Sequence, residues 1–491
     1  MRIPLDRHSG IPLYQQIESH LRQGILSGNL PSDTRLPACR QLARDLGVNR
    51  TTVENAYSAL EADGLVFSRM GSGTYVLPVY PLPAIPKNYA DGPWPLWQTN
   101  FQTHNASNSD LEDDAHQFGK HPHPISFASG ISDSRQFPVE EFRKVLQSVM
   151  RRDQIDSLEY GERRGYAPLR RGIAQILASQ GLQTHPENVL ITAGSQQAIF
   201  LVAQVLLKAD DTVLVEDPTY SAAIELFRTL GLQIVGIPVD DQGMQVDKLE
   251  KLLQLHHPKL IYTIPNFHNP TGTCLSSARR RELIMLAGRY NVPILEDDFV
   301  GDLRYEGHTQ PSLKSLDPGG QVIYVGTFSK MLMPGLRVGF IVADGPVYDS
   351  LLNFKRLSDL ATSTLIQRAL DAYMTVGRYQ SYLHRSCQVF RNRRDAMVQA
   401  IGRHLHGVSF EIPKGGLFIW LRLPKSLSAD ELLPVARKEG VSFVPGNSFF
   451  IDGTCGREWL RLNFASQPVE DIEEGIKRLG LAILRIKGKK R

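Results

Sequence analysis

Lys330 closes the run Gly326-Thr327-Phe328-Ser329-Lys330, and three other short runs carry side chains that suit the same chemistry. They are Asp217-Pro218-Thr219-Tyr220, Asn266-Phe267-His268-Asn269-Pro270-Thr271-Gly272 and Glu296-Asp297-Asp298. A lysine desolvated near other cations becomes nucleophilic and forms a Schiff base with a carbonyl. A carboxylate such as Asp297 keeps a pyridine nitrogen protonated, so the ring can act as an electron sink. The Asn269 amide, held by a Pro-Gly turn, can hydrogen-bond a phenolate oxygen, and the Tyr220 ring can stack on the pyridine. Gly194-Ser195-Gln196-Gln197 opens an apolar helix, whose backbone amides and Ser195 hydroxyl would hold a phosphate. Arg337, seven residues after Lys330, can reach that phosphate. Pyridoxal phosphate (PLP) needs this set. Each residue alone has a plainer explanation, as a surface lysine, a helix cap or an ion-pair partner. Their joint arrangement points to the cofactor.

Such groups need a rigid edge on which to converge. Residues 189–192, 212–216, 260–263, 293–297, 322–326 and 338–342 are apolar enough for strands buried on both faces, and helical patterns lie between them. The alternation predicts an α/β sheet between helical layers. Tyr220, Asn269, Asp297 and Lys330 then follow four strand ends at the carboxyl edge, where such sheets bind ligands.

The first seventy-odd residues carry a different pattern. The row Leu13, Ile17, Leu21, Ile25 predicts an amphipathic helix that stops near Gly28-Asn29-Leu30-Pro31. Residues 40–46 predict a second helix burying Leu42 and Leu46, followed by a tight turn at Gly47. Asn49 suits the N-cap of a third helix with Val53, Tyr57 and Leu60 on its inner face. Strands at 64–68 and 74–77, joined by Arg69-Met70-Gly71-Ser72-Gly73, complete an α+β winged helix-turn-helix. In such a unit the third helix enters the major groove of double-stranded DNA with its first residues at the base edges. Those residues are Asn49, Arg50, Thr51 and Thr52. Arginine can bridge guanine O6 and N7, while threonine offers a hydroxyl to phosphate or a methyl to thymine. Arg35 and Arg40 lie where phosphates would pass, and Gly71 lets the wing tip approach closely. The plainer alternative is a three-helix interaction domain with solvated arginines.

A chain of 491 residues has room for about three units. Its 42% hydrophobic and 22% charged residues describe a soluble globular protein. No apolar run approaches the roughly 20 residues that span a bilayer. The start, Met1-Arg2-Ile3-Pro4-Leu5-Asp6-Arg7, lacks the apolar core of a signal peptide, so a cytoplasmic protein is expected. Cys39, Cys274, Cys387 and Cys455 are too scattered for a disulfide framework or a CxxC zinc site. His116, His121 and His123 are expected to be solvated histidines of a linker, and no metal is expected. Cys39, beside Arg40, could serve as a redox switch, although a buried thiol is plainer. The net charge of +4 is weak evidence for nucleic acid, since residues 1–76 hold eight arginines against seven acids. Pro78, Pro81, Pro83, Pro86, Pro93 and Pro95 stiffen the first half of a linker in which Trp94 and Trp97 suggest some packing. The expected organisation is a DNA-binding domain at 1–77, a linker at 78–125, a cofactor domain at 126–484 and a solvated basic tail at 485–491.

Pro12-Leu13-Tyr14, Leu36-Pro37-Ala38-Cys39-Arg40 and Leu46-Gly47-Val48-Asn49-Arg50-Thr51-Thr52-Val53 together resemble the GntR-family winged helix. The resemblance implies DNA contacts from Arg40, Arg50, Thr51, Thr52 and the wing near Gly71. The chain has Glu54 where that family often has a basic or amide residue. Residues 126–480 resemble fold-type I aminotransferases, and Phe127-Ala128-Ser129-Gly130-Ile131-Ser132-Asp133 matches their substrate side. This implies Lys330 as the Schiff-base lysine, Asp297 on the pyridine nitrogen, Asn269 on the phenolate oxygen and Tyr220 stacked on the ring. It implies phosphate contacts from Ser195, Gln196, Thr327 and Arg337. Tyr160, in Tyr160-Gly161-Glu162-Arg163-Arg164-Gly165-Tyr166, is implied to reach the phosphate held by the other subunit. Arg461, in Trp459-Leu460-Arg461-Leu462-Asn463-Phe464, is implied to grip a substrate α-carboxylate, with Gly130 on the same side. Phe299 stands where a tyrosine hydroxyl is implied, which predicts a raised Schiff-base pKa and slowed turnover. The fusion as a whole resembles the MocR subgroup of bacterial regulators. That implies a PLP-dependent transcriptional regulator sensing an amine, an amino acid or PLP itself through aldimine chemistry at Lys330. It further implies a head-to-tail homodimer on an operator. Two alternatives stay open: a working aminotransferase with an accessory DNA-binding module, and a dimerisation scaffold that binds no cofactor.

Overall fold

The computed structural model describes residues 3–69, 71–78 and 121–489, and the chain divides into two compact units, Met1–His104 and Asn105–Arg491. Most of the expected linker, with Trp94, Trp97 and His116, lies outside the described residues.

In the first unit the predicted stripe becomes α1 (Leu13–Leu26), which buries Ile17, Leu21 and Ile25. They meet Leu42 of α2 (Cys39–Leu46) and Val53 and Leu60 of α3 (Arg50–Ala62) in one core. Gly47 ends α2 in the left-handed region, at φ 63°, where a side chain would be strained. Asn49 occupies the N-cap position of α3, but its side chain makes no capping bond and stays exposed. The Tyr57 hydroxyl donates to the Pro37 carbonyl at 2.8 Å and fixes α3 against the approach to α2. The antiparallel wing pairs β1 (Val66–Arg69) with β2 (Gly73–Val76). It starts later than expected because Gly64, at φ 68°, still belongs to the turn.

The second unit begins earlier than expected. Ile125 is no linker residue: β3 (Ile125–Ser126) pairs in parallel with β14 (Val441–Ser442), and Ile125 is buried. Just ahead of it, His121 packs over Gly440 rather than standing in solvent. The main sheet is formed by β4 (Val189–Thr192), β5 (Thr212–Asp217), β6 (Gln233–Asp240), β7 (Gly243–Met244), β8 (Leu260–Thr263), β9 (Ile294–Asp298), β10 (Val322–Thr327) and β11 (Gly339–Val342). Its order is β4-β11-β10-β9-β8-β5-β6-β7. Strands β6, β5, β8, β9 and β10 run parallel, and β11 lies antiparallel between β10 and β4. The carboxyl ends of β4, β5, β8, β9 and β10 therefore share one edge. β6 and β7 were not foreseen from sequence.

A smaller antiparallel sheet joins β12 (Ser409–Phe410), β13 (Phe418–Arg422), β16 (Trp459–Asn463) and β15 (Val444–Pro445). The closing helix, Val469–Lys489, runs through most of the expected solvated tail. Ile486 is buried, and Arg485 pairs with Glu439 at 2.5 Å, so apolar packing carries the helix on. Among the described residues no helix is long and apolar enough to cross a membrane.

Candidate functional site

The pleat of β9 sends its three consecutive carboxylates to different partners. Glu296 accepts from the backbone N–H groups of Leu313 and Lys314, each at 2.8 Å. Asp298 accepts from the Tyr324 hydroxyl at 2.9 Å. Asp297 accepts from the Tyr262 hydroxyl, also at 2.9 Å, and is 3% exposed. Burial pushes the Asp297 carboxyl up to about 7, against the pull of Tyr262 and of the Lys330 charge. Its Oδ1 is buried and has no hydrogen-bond partner. An unsatisfied buried acceptor is unfavourable, and a protonated ring nitrogen would satisfy it. The donor set therefore fits the cofactor predicted from sequence.

Arg461 and Asn269, 192 residues apart, meet at this edge: the guanidinium donates to Asn269 Oδ1 at 3.0 Å. It also donates to the Ala128 carbonyl at 2.8 Å, and lies 4.2 Å from the Phe418 ring centre and 5.1 Å from that of Phe449. Asn463 donates to the carbonyls of Ser129 and Ile131 at 2.7 and 2.8 Å. Gly130 is thereby clamped on the Arg461 side. Arg461, Tyr220, Phe449 and Phe450 line a cleft of about 490 Å³. Phe299 is buried and stacks on Phe418 with ring centres 6.4 Å apart, filling the core with no hydroxyl to offer.

The other end of the site is built from backbone. The helix Ser195–Leu206 starts after Gly194, which sits at φ 105°. A Cβ on Gly194 would lie 2.8 Å from the Arg337 guanidinium, so only glycine lets that group close over the helix start. Arg337 donates to the Ala193 carbonyl at 2.8 Å, and Gln197 accepts from the Ala193 N–H at 2.7 Å. Ser195 and Gln196 are half-buried on the first turn. The Thr327 hydroxyl accepts from the Ser329 N–H at 3.2 Å and lies 3.4 Å from the Val338 carbonyl, which ties it to its own loop. The neighbouring Ser329 hydroxyl is buried without a partner. Tyr160 is 86% exposed and is not brought to this edge within the chain.

Sequence reasoning missed Tyr262, Gln197, Ser329 and Asn463. Tyr262 left a signal: a phenol inside a strand apolar enough to be buried on both faces needs a partner for its hydroxyl. The others resemble ordinary cap or turn residues.

On the first unit, Arg35, Arg40, Asn49, Arg50, Thr51 and Gly71 are exposed and Thr52 is half-buried. Arg35 lies against Gly73 at the base of the wing, whereas Gly71, at φ 77°, has open space around it. The Arg50 Nε–H donates to Glu54 Oε1 at 2.6 Å. Burial raises the Cys39 thiol pKa, which disfavours the reactive thiolate.

Residues 122–479 match the aminotransferase class I and II family, and residues 13–76 match the gntR family of bacterial regulatory proteins. The probable rhizopine catabolism regulatory protein MocR of Rhizobium meliloti is 30% identical over 98% of this chain and 96% of its own. The HTH-type transcriptional regulator YdfD of Bacillus subtilis is 31% identical over 96% of each chain. The chain belongs to the MocR-type regulators of the GntR family. In this MocR-type chain the second unit is of the aminotransferase class I and II family, which implies PLP as cofactor. The solved α-aminoadipate aminotransferase LysN of Thermus thermophilus shares that fold, with a TM-score of 0.70 and 37% identity over 74% of this chain and 93% of its own. The GntR-type domain implies DNA binding.

Proposed function

We propose that this protein is a transcriptional regulator whose DNA affinity is set by PLP and a primary amine or amino acid at the Lys330 edge. The observation that carries the proposal is the buried, unpartnered oxygen of Asp297, in a chain that also presents an exposed Arg50 at the start of a recognition helix.

PLP, when bound, supplies a carbonyl that condenses with primary amines and a ring that withdraws electrons. Asp297 would hold the proton at the ring nitrogen, and the Tyr262 hydroxyl holds Asp297. Asn269 would hydrogen-bond the phenolate oxygen, and the Tyr220 ring would flank the pyridine. Ser195, Gln196, Thr327 and Arg337 would hold the phosphate, with the Ser195–Leu206 helix start supplying backbone amides. Lys330 is the amine that the chain itself presents. Arg461 grips an effector carboxylate by its planar fork, and the two phenyl rings around it exclude water.

The protein acts as a head-to-tail homodimer in which Tyr160 reaches the phosphate of the other subunit. Ile155, Leu158 and Tyr160 are exposed on one segment and Leu357 and Leu360 on another. The two are tied where the Thr364 hydroxyl donates to the Glu159 carbonyl at 3.0 Å. This is the apolar surface that a second copy would cover. An effector shifts DNA binding by the difference in its affinity for two arrangements of the dimer.

The test is a gel-shift titration of an operator fragment with PLP and a panel of amino acids, run beside visible spectra. A spectral change that stalls with one amine and moves DNA affinity is expected. A second reading, carried by the identity with LysN, is a working aminotransferase. Clean conversion to the pyridoxamine form, reversed by a keto acid and without effect on DNA, would establish it.

A further inference from the structure

Arg50 and Glu54 both stand on the outer face at the start of α3. Their ion pair fixes how the arginine can be used. Glu54 Oε1 takes the Nε–H at 2.6 Å, and among the described residues neither side chain has a second hydrogen-bond partner. The two terminal nitrogens of the guanidinium make no hydrogen bond among the described residues, so the edge that bridges guanine O6 and N7 stays available. Oε2 of Glu54 is left as an acceptor close beside the same guanidinium, because Oε1 of its carboxylate already touches the Nε–H. Two groups that touch in this way can reach bases no more than about two steps of 3.4 Å apart.

The major-groove code decides what that acceptor can face. Guanine and thymine present acceptors that repel a carboxylate. Adenine presents a donor beside the N7 acceptor, whereas cytosine presents its amino donor with no acceptor next to it. We infer that Glu54 is a specificity-determining residue: it holds Arg50 end-on to a guanine and itself accepts from a cytosine amino group within about two base pairs. Glu54 also offsets the Arg50 charge, which lowers the attraction to phosphate that is common to every sequence. Selectivity rises while sequence-independent affinity falls.

The inference rests on DNA binding by the winged helix, and the test separates the two. Full-length PLP-loaded protein selects duplexes from a randomised pool, as wild type, Glu54→Gln, Glu54→Ala and Arg50→Ala. Wild type is expected to enrich a guanine and a nearby cytosine. Glu54→Gln should replace the cytosine by adenine, because an amide bonds adenine N6 and N7 together. Glu54→Ala should lose the cytosine preference, by roughly fivefold or more, while gaining sequence-independent affinity. Arg50→Ala should lose the guanine. A wild-type motif that Glu54→Gln and Glu54→Ala both leave unchanged overturns the inference alone. A motif whose cytosine is kept while overall affinity drops reduces Glu54 to a holder of Arg50 and overturns base reading by it. A wild type that enriches nothing overturns the DNA-binding reading and the inference with it. Thermal melts of the variants exclude misfolding as the cause of any loss.

Discussion

The winged helix and the aminotransferase-like unit keep the charges to which the proposed function gives work on opposite sides of the solvent boundary. Arg50 and Glu54 are 54% and 36% exposed, whereas Asp297 and Arg461 are each 3% exposed. An exposed i, i+4 ion pair is screened by water and contributes about 0.3–0.5 kcal/mol. Its members can change without disturbing the fold, so the reader can alter what it recognises one residue at a time. A buried charge has no such freedom. Stripping it of its partner costs about 3–5 kcal/mol, so the cofactor site is nearly all or nothing, and its adjustable quantity is the position of protons.

Asp297→Asn strains that comparison hardest. In the cofactor-free protein the carboxyl titrates near 7, above its ordinary 3.8. Below about pH 4 it is neutral folded or unfolded. Between about pH 4 and 7 the unfolded chain ionises first, so stability falls as pH rises, and above 7 the loss is complete at about 4 kcal/mol. Asparagine never ionises. The variant should therefore melt at a higher temperature than wild type at pH 8, with a smaller gain at pH 5. With PLP bound the sign reverses, because the ring nitrogen loses its anionic partner, and affinity should fall by about 3–5 kcal/mol. Melting curves at both pH values, with and without PLP, check each half. A variant less stable than wild type at pH 8 without PLP would mean that the buried carboxylate is comfortable there.

Arg461→Ala comes next. The guanidinium is fastened to Asn269 and Ala128, yet its task under the proposed function is to hold an effector carboxylate. Amino-acid affinity should fall by about 2–5 kcal/mol while PLP still binds. Spectral titrations with PLP and then with amino acids separate the two steps. Loss of PLP itself would make Arg461 a brace for Asn269 and the Ala128 turn.

Local periodicity explains which parts of the molecule were legible beforehand. The stripe of α1 and the apolar runs of β4, β8 and β10 state their own structure, because burial on one face or on two leaves a fixed spacing. Strand order does not, since it is decided by packing between distant segments. Ile125 looked like the end of a linker because its partner, Val441, lies more than 300 residues away. Arg485 looked like tail because a run of bases gives no sign that Ile486 beside it is buried. The site divided in the same way. Residues at strand ends stood out, whereas Tyr262, which holds Asp297, and Gln197, which holds the Ala193 N–H, sat inside ordinary strand and helix patterns.

On the reader side, Arg50→Ala should lower operator affinity by about 1–3 kcal/mol and relax preference at one base position. It strands no buried partner, so its melting temperature should match wild type. Gel shifts against matched and mismatched duplexes provide the measure. Normal binding by this variant would move the reading face away from the start of α3.

The smallest effect expected is also the finest probe of the buried side. Tyr262→Phe removes the hydroxyl that donates to Asp297, a bond that lowers the carboxyl pKa by favouring its charged form. Without it the carboxyl should hold its proton above pH 7, so ionisation in the fold becomes more costly by about 1 kcal/mol. The destabilisation by Tyr262→Phe in the cofactor-free protein should therefore be larger at pH 8 than at pH 5, where Asp297 is neutral in either variant. Equal losses at the two pH values would show that the hydroxyl packs beside the carboxyl without selecting its charge. The readiness of Asp297 to keep its proton would then be set by burial and its charged neighbours, without the hydroxyl.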